Sequence, residues 1–176
     1  MTDIIAHASE ADVPAIADLV NRSYRPTSDD AGWTHEAALV AGPRTSTDQV
    51  QALFQDGSVV LIMKRDNALI ACVHVLNEGD ACCIGMLATE PKLQGHGVGK
   101  AMLEAAGRLA VQAFQARVLR MSVLSNRPEL QAFYERRGFR LTDLTQPYPE
   151  DAGVGSPMRS NLLVRSMVKH LSPIYG

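Results

Sequence analysis

The segment LATEPKLQGHGVGKAML spans Leu87 to Leu103. Its first three residues close an apolar, strand-like run, Ala81 to Thr89 (ACCIGMLAT), which Pro91 ends. Gly95, Gly97 and Gly99 then occupy alternate positions at the mouth of a helix predicted from Gly97 to Phe114. Val98, Met102, Leu103, Ala106, Leu109, Ala110 and Phe114 recur at helical spacing and form one apolar face. A helix start leaves about four backbone N–H groups without intrahelical partners, at the positive end of the macrodipole. Glycines there let phosphate oxygens approach those donors. Strand, glycine turn and helix in this order predict an anion cradle over Gln94 to Lys100; a turn that only reverses the chain is the alternative.

Outward from this segment, strands and helices alternate. Ser58 to Lys64 and Ala68 to Leu76 read as a β-hairpin turning at Asp66-Asn67, and Glu78-Gly79-Asp80 turns the chain into the Ala81 run. Upstream, Ile4 to Ala8 reads as a short strand. Ser9 and an acidic turn then open a helix with Val13, Ile16, Ala17 and Val20 on one face. Thr27 to Thr47 reads as loop, short helix and loop, and Asp48 to Gln55 as a further helix. Downstream, Arg117 to Leu124 is a buried strand. Pro128 opens a helix through Arg137 that Gly138 stops, Phe139 to Leu141 starts a strand, Asp143 to Ser160 is a loop, and Leu162 to Leu171 is a last strand. Without repeats or a shift in composition, residues 1–176 read as a single domain of mixed α and β structure.

The bulk numbers exclude several classes. A chain of 176 residues buries roughly 70% of its unfolded surface and needs no metal or disulfide staple. With 46% hydrophobic residues, mean hydropathy −0.04 and net charge −2, the composition is globular and offers no basic field for nucleic acid. Cys72, Cys82 and Cys83 fit neither a disulfide framework nor a zinc pattern and read as buried reduced thiols. No run approaches the roughly 20 apolar residues of a membrane span, and the opening MTDIIAHASEADVPAI lacks the pattern of a signal peptide. A soluble, cytoplasmic protein with no metal, no membrane partner and no nucleic-acid partner is the expectation.

Two nucleotide readings weaken at the glycine turn. A Walker loop needs G-x-x-x-x-G-K-[ST], but Ala101 follows Lys100 where a magnesium-binding hydroxyl belongs, and the spacing from Gly95 is wrong. A Rossmann loop needs G-x-G-x-x-G inside a βαβ unit, but Gly95, Gly97 and Gly99 are spaced two and two, after a hairpin. The segment instead resembles the acetyl-CoA motif of the GNAT acyltransferases. There a strand ending before a proline leads into Q/R-x-x-G-x-G/A at a helix start; Gln94, Gly97, Gly99 and Pro91 fill the places. A second motif of that family, an Asn ending a strand and then a helix ending in Y-x-x-x-G-F, is matched by Asn126, Tyr134, Gly138 and Phe139. The resemblance covers roughly Asp3 to Leu141 in layout.

The resemblance implies an α+β fold of the GNAT type: a mixed, mostly antiparallel sheet of about seven strands, flanked by helices. Its central parallel pair, Ala81–Thr89 with Arg117–Leu124, splays apart. Acetyl-CoA is the implied cosubstrate. Pantetheine is expected along Leu87 and Thr89 like an added strand, and pyrophosphate on the amides of Gln94, Gly95, His96, Gly97, Val98, Gly99 and Lys100. The acyl carbonyl is expected at a main-chain N–H near Leu87 or Ala88, and Asn126 on the pantetheine arm. Tyr134 is the implied general acid for the departing thiolate, since a phenol of pKa about 10 stays protonated at neutral pH; at helical spacing from Leu130 it also reads as a core aromatic.

Several relatives carry a glutamate base on the strand, eleven residues before the position of Gln94; here Cys83 stands in that place. Direct attack by the amine is the expected route, with Cys83 as an acyl-carrying nucleophile a rival. In such folds the acceptor pocket is shaped by Tyr24 to Thr47 and Asp143 to Ser160. Trp33 is suited to stack on a cationic or flat acceptor, His35 to relay a proton, Glu36 to hold an ammonium, and Arg44 to bind a carboxylate. Each also reads as a loop anchor or a solvated charge. The acceptor is expected to be a small-molecule amine rather than a peptide. A non-catalytic acyl-CoA sensor or regulatory subunit is the alternative function. The apolar last strand is read as an edge, suggesting a homodimer.

Overall fold

The computed structural model describes residues 1–26, 35–159 and 161–173. In chain order its elements are β1 (Asp3–His7), α1 (Val13–Tyr24), β2 (Val40–Ala41), α2 (Thr47–Gln51), β3 (Ser58–Arg65), β4 (Ala68–Asn77) and β5 (Ala81–Thr89). Then come α3 (Val98–Phe114), β6 (Val118–Leu124), α4 (Pro128–Glu135), β7 (Arg140–Pro147), β8 (Ser156–Pro157) and β9 (Leu163–His170). Seven strands form one sheet in the order β1-β3-β4-β5-β6-β9-β7, antiparallel throughout except for the parallel pair β5 and β6.

Side chains of a strand alternate between faces, and here each face has its own helix. From β3 and β4, Leu61, Met63, Ala71, Val73 and Val75 pack with Met102, Leu103, Ala106 and Ala110 of α3. Val60, Ile62 and Cys72 pack on the opposite face with Val13, Ile16, Ala17, Leu19 and Val20 of α1. Between the strands, Asp66 and Asn67 take left-handed φ values of 50° and 67°, the primed turn that suits a two-residue hairpin.

On β5 the alternation inverts. Cys82 and Ile84 face α3, whereas Met86 and Ala88, of the same parity, face α1. The cause is a bulge. Cys72 pairs with Ala88 and His74 with Gly85, so Met86 and Leu87 together oppose Val73, and Met86 takes φ 50°. On its other side, β5 pairs with β6 only at Ala81–Val118, Cys82–Leu119 and Cys83–Arg120. From Ile84 onward the two parallel strands have separated.

Three expectations are corrected. The last strand is no edge: β9 lies between β6 and β7 and pairs with both, so its apolar residues are used inside the sheet and the edge argument for a homodimer falls away. β7 runs on to Pro147 through residues read as loop, because β9 offers it a partner as far as Leu163. The 48–55 helix is the short α2, starting at Thr47 under a Ser46 capping box and ending at Gln51.

The paired β2 and β8 tie the 35–45 loop to the 148–157 loop. Gly155 beside them has φ 105°, and a Cβ there would lie 2.6 Å from the Ala41 carbonyl oxygen and 2.8 Å from Val40 Cγ1, as well as against Arg25 Nη1. Gly155→Ala is therefore expected to destabilise by roughly 2–4 kcal/mol, from left-handed strain plus overpacking, read as a lower urea midpoint at unchanged m-value.

Candidate active site

The helix start that the glycines prepare is open. Gly95 and Gly97 adopt φ values of 81° and 83°, and a Cβ on either would meet nothing within 4 Å. Gly97 caps α3 without a side-chain bond, so no side chain of the cap covers the first-turn amides. Gln94 Nε2 donates to the Thr89 carbonyl at 3.2 Å, pinning the turn to the end of β5.

A cavity of about 240 Å³ opens on this turn. Leu87, Thr89, Gln94, Gly95, Gly97, Gly99, Lys100 and Tyr134 line it, together with the positive side chains of Arg136 and Arg137. Arg137 stacks on Phe133 at 3.7 Å and donates to the Phe133 carbonyl at 2.8 Å. Not every residue expected at the cofactor reaches the wall. Ala88 and Val98 are buried in the core, His96 is exposed with Nδ1 near the carbonyls of Leu93 and Gln94, and Asn126 is exposed and lines neither this cavity nor the next.

A second cavity, about 390 Å³, fills the gap between the parted strands. Cys83 to Leu87 form one wall and Met121 to Leu124 the other, with Glu36, Arg44, Arg127 and Gln146 to Pro149 at the rim. Tyr24, Leu87, Leu130 and Tyr134 belong to both cavities, which therefore meet at these four side chains.

Two tyrosines, Tyr24 and Tyr134, line the junction. Tyr134, on α4, is packed edge-on against Phe133 and Phe139 at 5.1 and 5.8 Å. Burial, with the nearby Tyr24, drives its phenol far above the ordinary value of 10. Tyr24, at the end of α1, donates to the Leu87 carbonyl at 2.9 Å, and burial pushes its phenol up to about 12. Sequence reasoning missed Tyr24, Arg136 and Arg137. The arginine pair directly before Gly138 was a legible signal of charge at a helix end, whereas nothing local marks Tyr24.

Of the acceptor candidates, Trp33 lies outside the described residues. His35 is half-buried, with Nδ1 unpaired among the described residues, and does not line the cavity. Glu36 is buried and already held. Arg25 donates to its Oε1 from Nε at 3.0 Å and also from Nη2, while Arg25 further reaches the Gly42 carbonyl and the Tyr148 hydroxyl. Arg44 lines the cavity with its guanidinium 5.5 Å from the Tyr24 ring centroid. Cys83 sits at the cavity's end, where burial and then Glu78 raise its thiol, which disfavours the thiolate a nucleophile needs. Among the described residues no His, Cys, Asp and Glu side chains group to hold a metal, and no helix is long and apolar enough to cross a membrane.

Comparison with known proteins bears on this arrangement. The profile of the acetyltransferase (GNAT) domain matches residues 56–141. No curated protein matches. Among solved structures, the ribosomal-protein-S18-alanine N-acetyltransferase of Escherichia coli superposes with a TM-score of 0.72 at 16% identity, over 99% of this chain and 97% of that one. A ribosomal-protein-alanine N-acetyltransferase of Brucella melitensis gives 0.71 at 18%, over 96% and 99%. A putative acetyltransferase of Salmonella typhimurium, solved with its cofactor acetyl-CoA, gives 0.69 at 17%, over 100% and 98%. At these identities the likeness is one of fold.

The Arg25–Glu36 pair carries a direct consequence for stability. Glu36→Gln leaves a buried guanidinium without its counter-charge, and a loss of about 3–5 kcal/mol is expected, measurable by chemical denaturation.

Proposed function

From the premise that this chain belongs to the GNAT acetyltransferase family through residues 56–141, we propose that it transfers an acetyl group from acetyl-CoA to the primary amine of a small acceptor by direct attack. One observation carries this reading: the two cavities meet at Leu87 and Tyr134, one ending at an open glycine turn and the other between parted strands.

The residues present fit the cosubstrate. The unobstructed turn at Gly95 and Gly97, the uncapped start of α3 and the cationic side chains of Lys100, Arg136 and Arg137 suit its phosphates. Acetyl-CoA supplies an activated acyl carbonyl. The main chain at the Leu87 bulge is the candidate donor to the oxygen on which charge develops. Tyr134 then delivers its proton to the sulfur as the carbon–sulfur bond breaks. Tyr24 is the weaker acid candidate, because its proton is already given to the Leu87 carbonyl; it holds the bulge. With Glu36 tied to Arg25 and no carboxylate on β5 beyond Asp80, water in the acceptor cavity takes the amine proton.

An acceptor cavity of about 390 Å³ falls at the lower end of the roughly 300–1,000 Å³ range of small-molecule sites, which favours a small amine over a peptide.

The test is thiol release from acetyl-CoA with a panel of amines, comparing wild type with Tyr134→Phe. A loss of roughly 10²-fold in kcat is expected, with the stabilisation by acetyl-CoA retained. Since burial raises the Tyr134 phenol, the acid stays protonated and the wild-type rate should show no descending limb up to about pH 10. Thermal stabilisation by acetyl-CoA with no release from any amine would replace the transferase reading by an acyl-CoA sensor.

A further inference from the structure

Among the described residues, the charges around the acceptor cavity do not balance. Glu36 and Arg25 neutralise each other, and Arg25 also donates to the Gly42 carbonyl and the Tyr148 hydroxyl at 2.8 and 3.2 Å. Arg127 donates from Nε to Glu129 at 2.7 Å. Arg44 differs. It is half-buried on the cavity wall, its guanidinium meets the face of Tyr24, and no carboxylate pairs with it among the described residues. Its position is set in advance, because the backbone N–H groups of Arg44 and Thr45 both donate to Asn21 Oδ1, at 2.8 and 3.0 Å. A partly desolvated, pre-positioned guanidinium facing a substrate-sized cavity is stabilised by an anion brought in by the ligand.

The side chain beneath Arg44 sets the distance. The Tyr24 ring carries the guanidinium on its face, while its hydroxyl is bonded to the carbonyl of Leu87, where the two cavities join. The anion site and the reacting end of the cavity are thus separated by little more than one tyrosine ring. We propose that the acceptor is an amine carrying a carboxylate a few bonds from its nitrogen, an amino-acid-like molecule oriented by an ion pair with Arg44. One cavity-wall guanidinium without a carboxylate partner among the described residues matches a monoanion, and its planar fork matches a carboxylate. The proposal rests on the acetyl-transfer reading above and deepens it.

The experiment pairs each of a series of α-, β- and γ-amino acids with its amide and its decarboxylated amine. Thiol release is measured with acetyl-CoA, and calorimetric binding to the CoA-loaded protein in parallel. Wild type should favour the carboxylate member of a pair by at least about tenfold. Arg44→Gln should raise KM for that member roughly 10- to 100-fold, leave kcat less affected and abolish the preference, while KM for acetyl-CoA is unchanged. Arg44→Lys, which keeps the charge and loses the fork, should fall between. Equal use of acid, amide and amine by wild type, or an equal loss on all three in Arg44→Gln, overturns the carboxylate anchor and leaves acetyl transfer standing. If no amine releases thiol, acetyl transfer fails, and calorimetry alone decides the anchor: carboxylate binding lost in Arg44→Gln supports it, and its absence overturns it.

Discussion

Strand β5 cannot keep a continuous ladder on either side, and the rest of the site depends on that failure. Toward β4 the ladder is broken where Met86 and Leu87 share one partner; toward β6 it stops after Cys83. Met86 and Leu87 fall within both interruptions, so this short stretch is released from its neighbours on two sides. A left-handed methionine costs on the order of 1–3 kcal/mol and persists only where its surroundings impose it. The two helices do so: α3 grips Cys82 and Ile84 before the kink, and α1 grips Met86 and Ala88 after it. The core thus pulls the strand to opposite faces within three residues, and the gap it opens is the cavity.

The cavity's walls are held by a different kind of interaction. Arg25, Glu36 and Tyr148 join the end of α1, the loop after it and the chain beyond β7 in one buried polar cluster, closed by the Tyr148 hydroxyl donating to Val154. A buried ion pair contributes little net stability compared with apolar packing, but it tolerates few alternative arrangements. Its effect here is to define where two loops sit relative to each other, and therefore the shape of the second cavity.

Much of this was legible in the sequence. The 58–89 hairpin and strand, the 98–114 helix and the glycine turn are spelled out by local signals, namely alternation, turn residues with left-handed propensity, and a long apolar face. Tyr134 was legible too, through its place before Gly138 and Phe139, and it does line both cavities. What was not legible depends on contacts distant in the chain. The bulge is hidden because ACCIGMLAT is apolar at nearly every position, so an inversion of parity leaves no trace. Glu36 looked available to an ammonium because its partner, Arg25, lies eleven residues away on another element. Asn126 fits a sequence pattern but stands exposed and lines neither cavity. Tyr24 and the extension of β7 appear only once α1 and β9 have been placed.

The placement of β9 imposes an order on folding. The last of the sheet's strands in chain order is an inner one, lying between β6 and β7 and pairing with both. Until residues 163–170 emerge, β6 has a partner only at its first three residues and β7 has none. The nascent chain can settle β1, β3, β4 and β5 around α1 and α3, but it must carry an unzipped half-sheet until β9 has been made. Long-range pairing of this kind is slow to form and exposes strand edges meanwhile. The wall of the second cavity that β6, β7 and β9 supply accordingly assembles after the rest of the sheet.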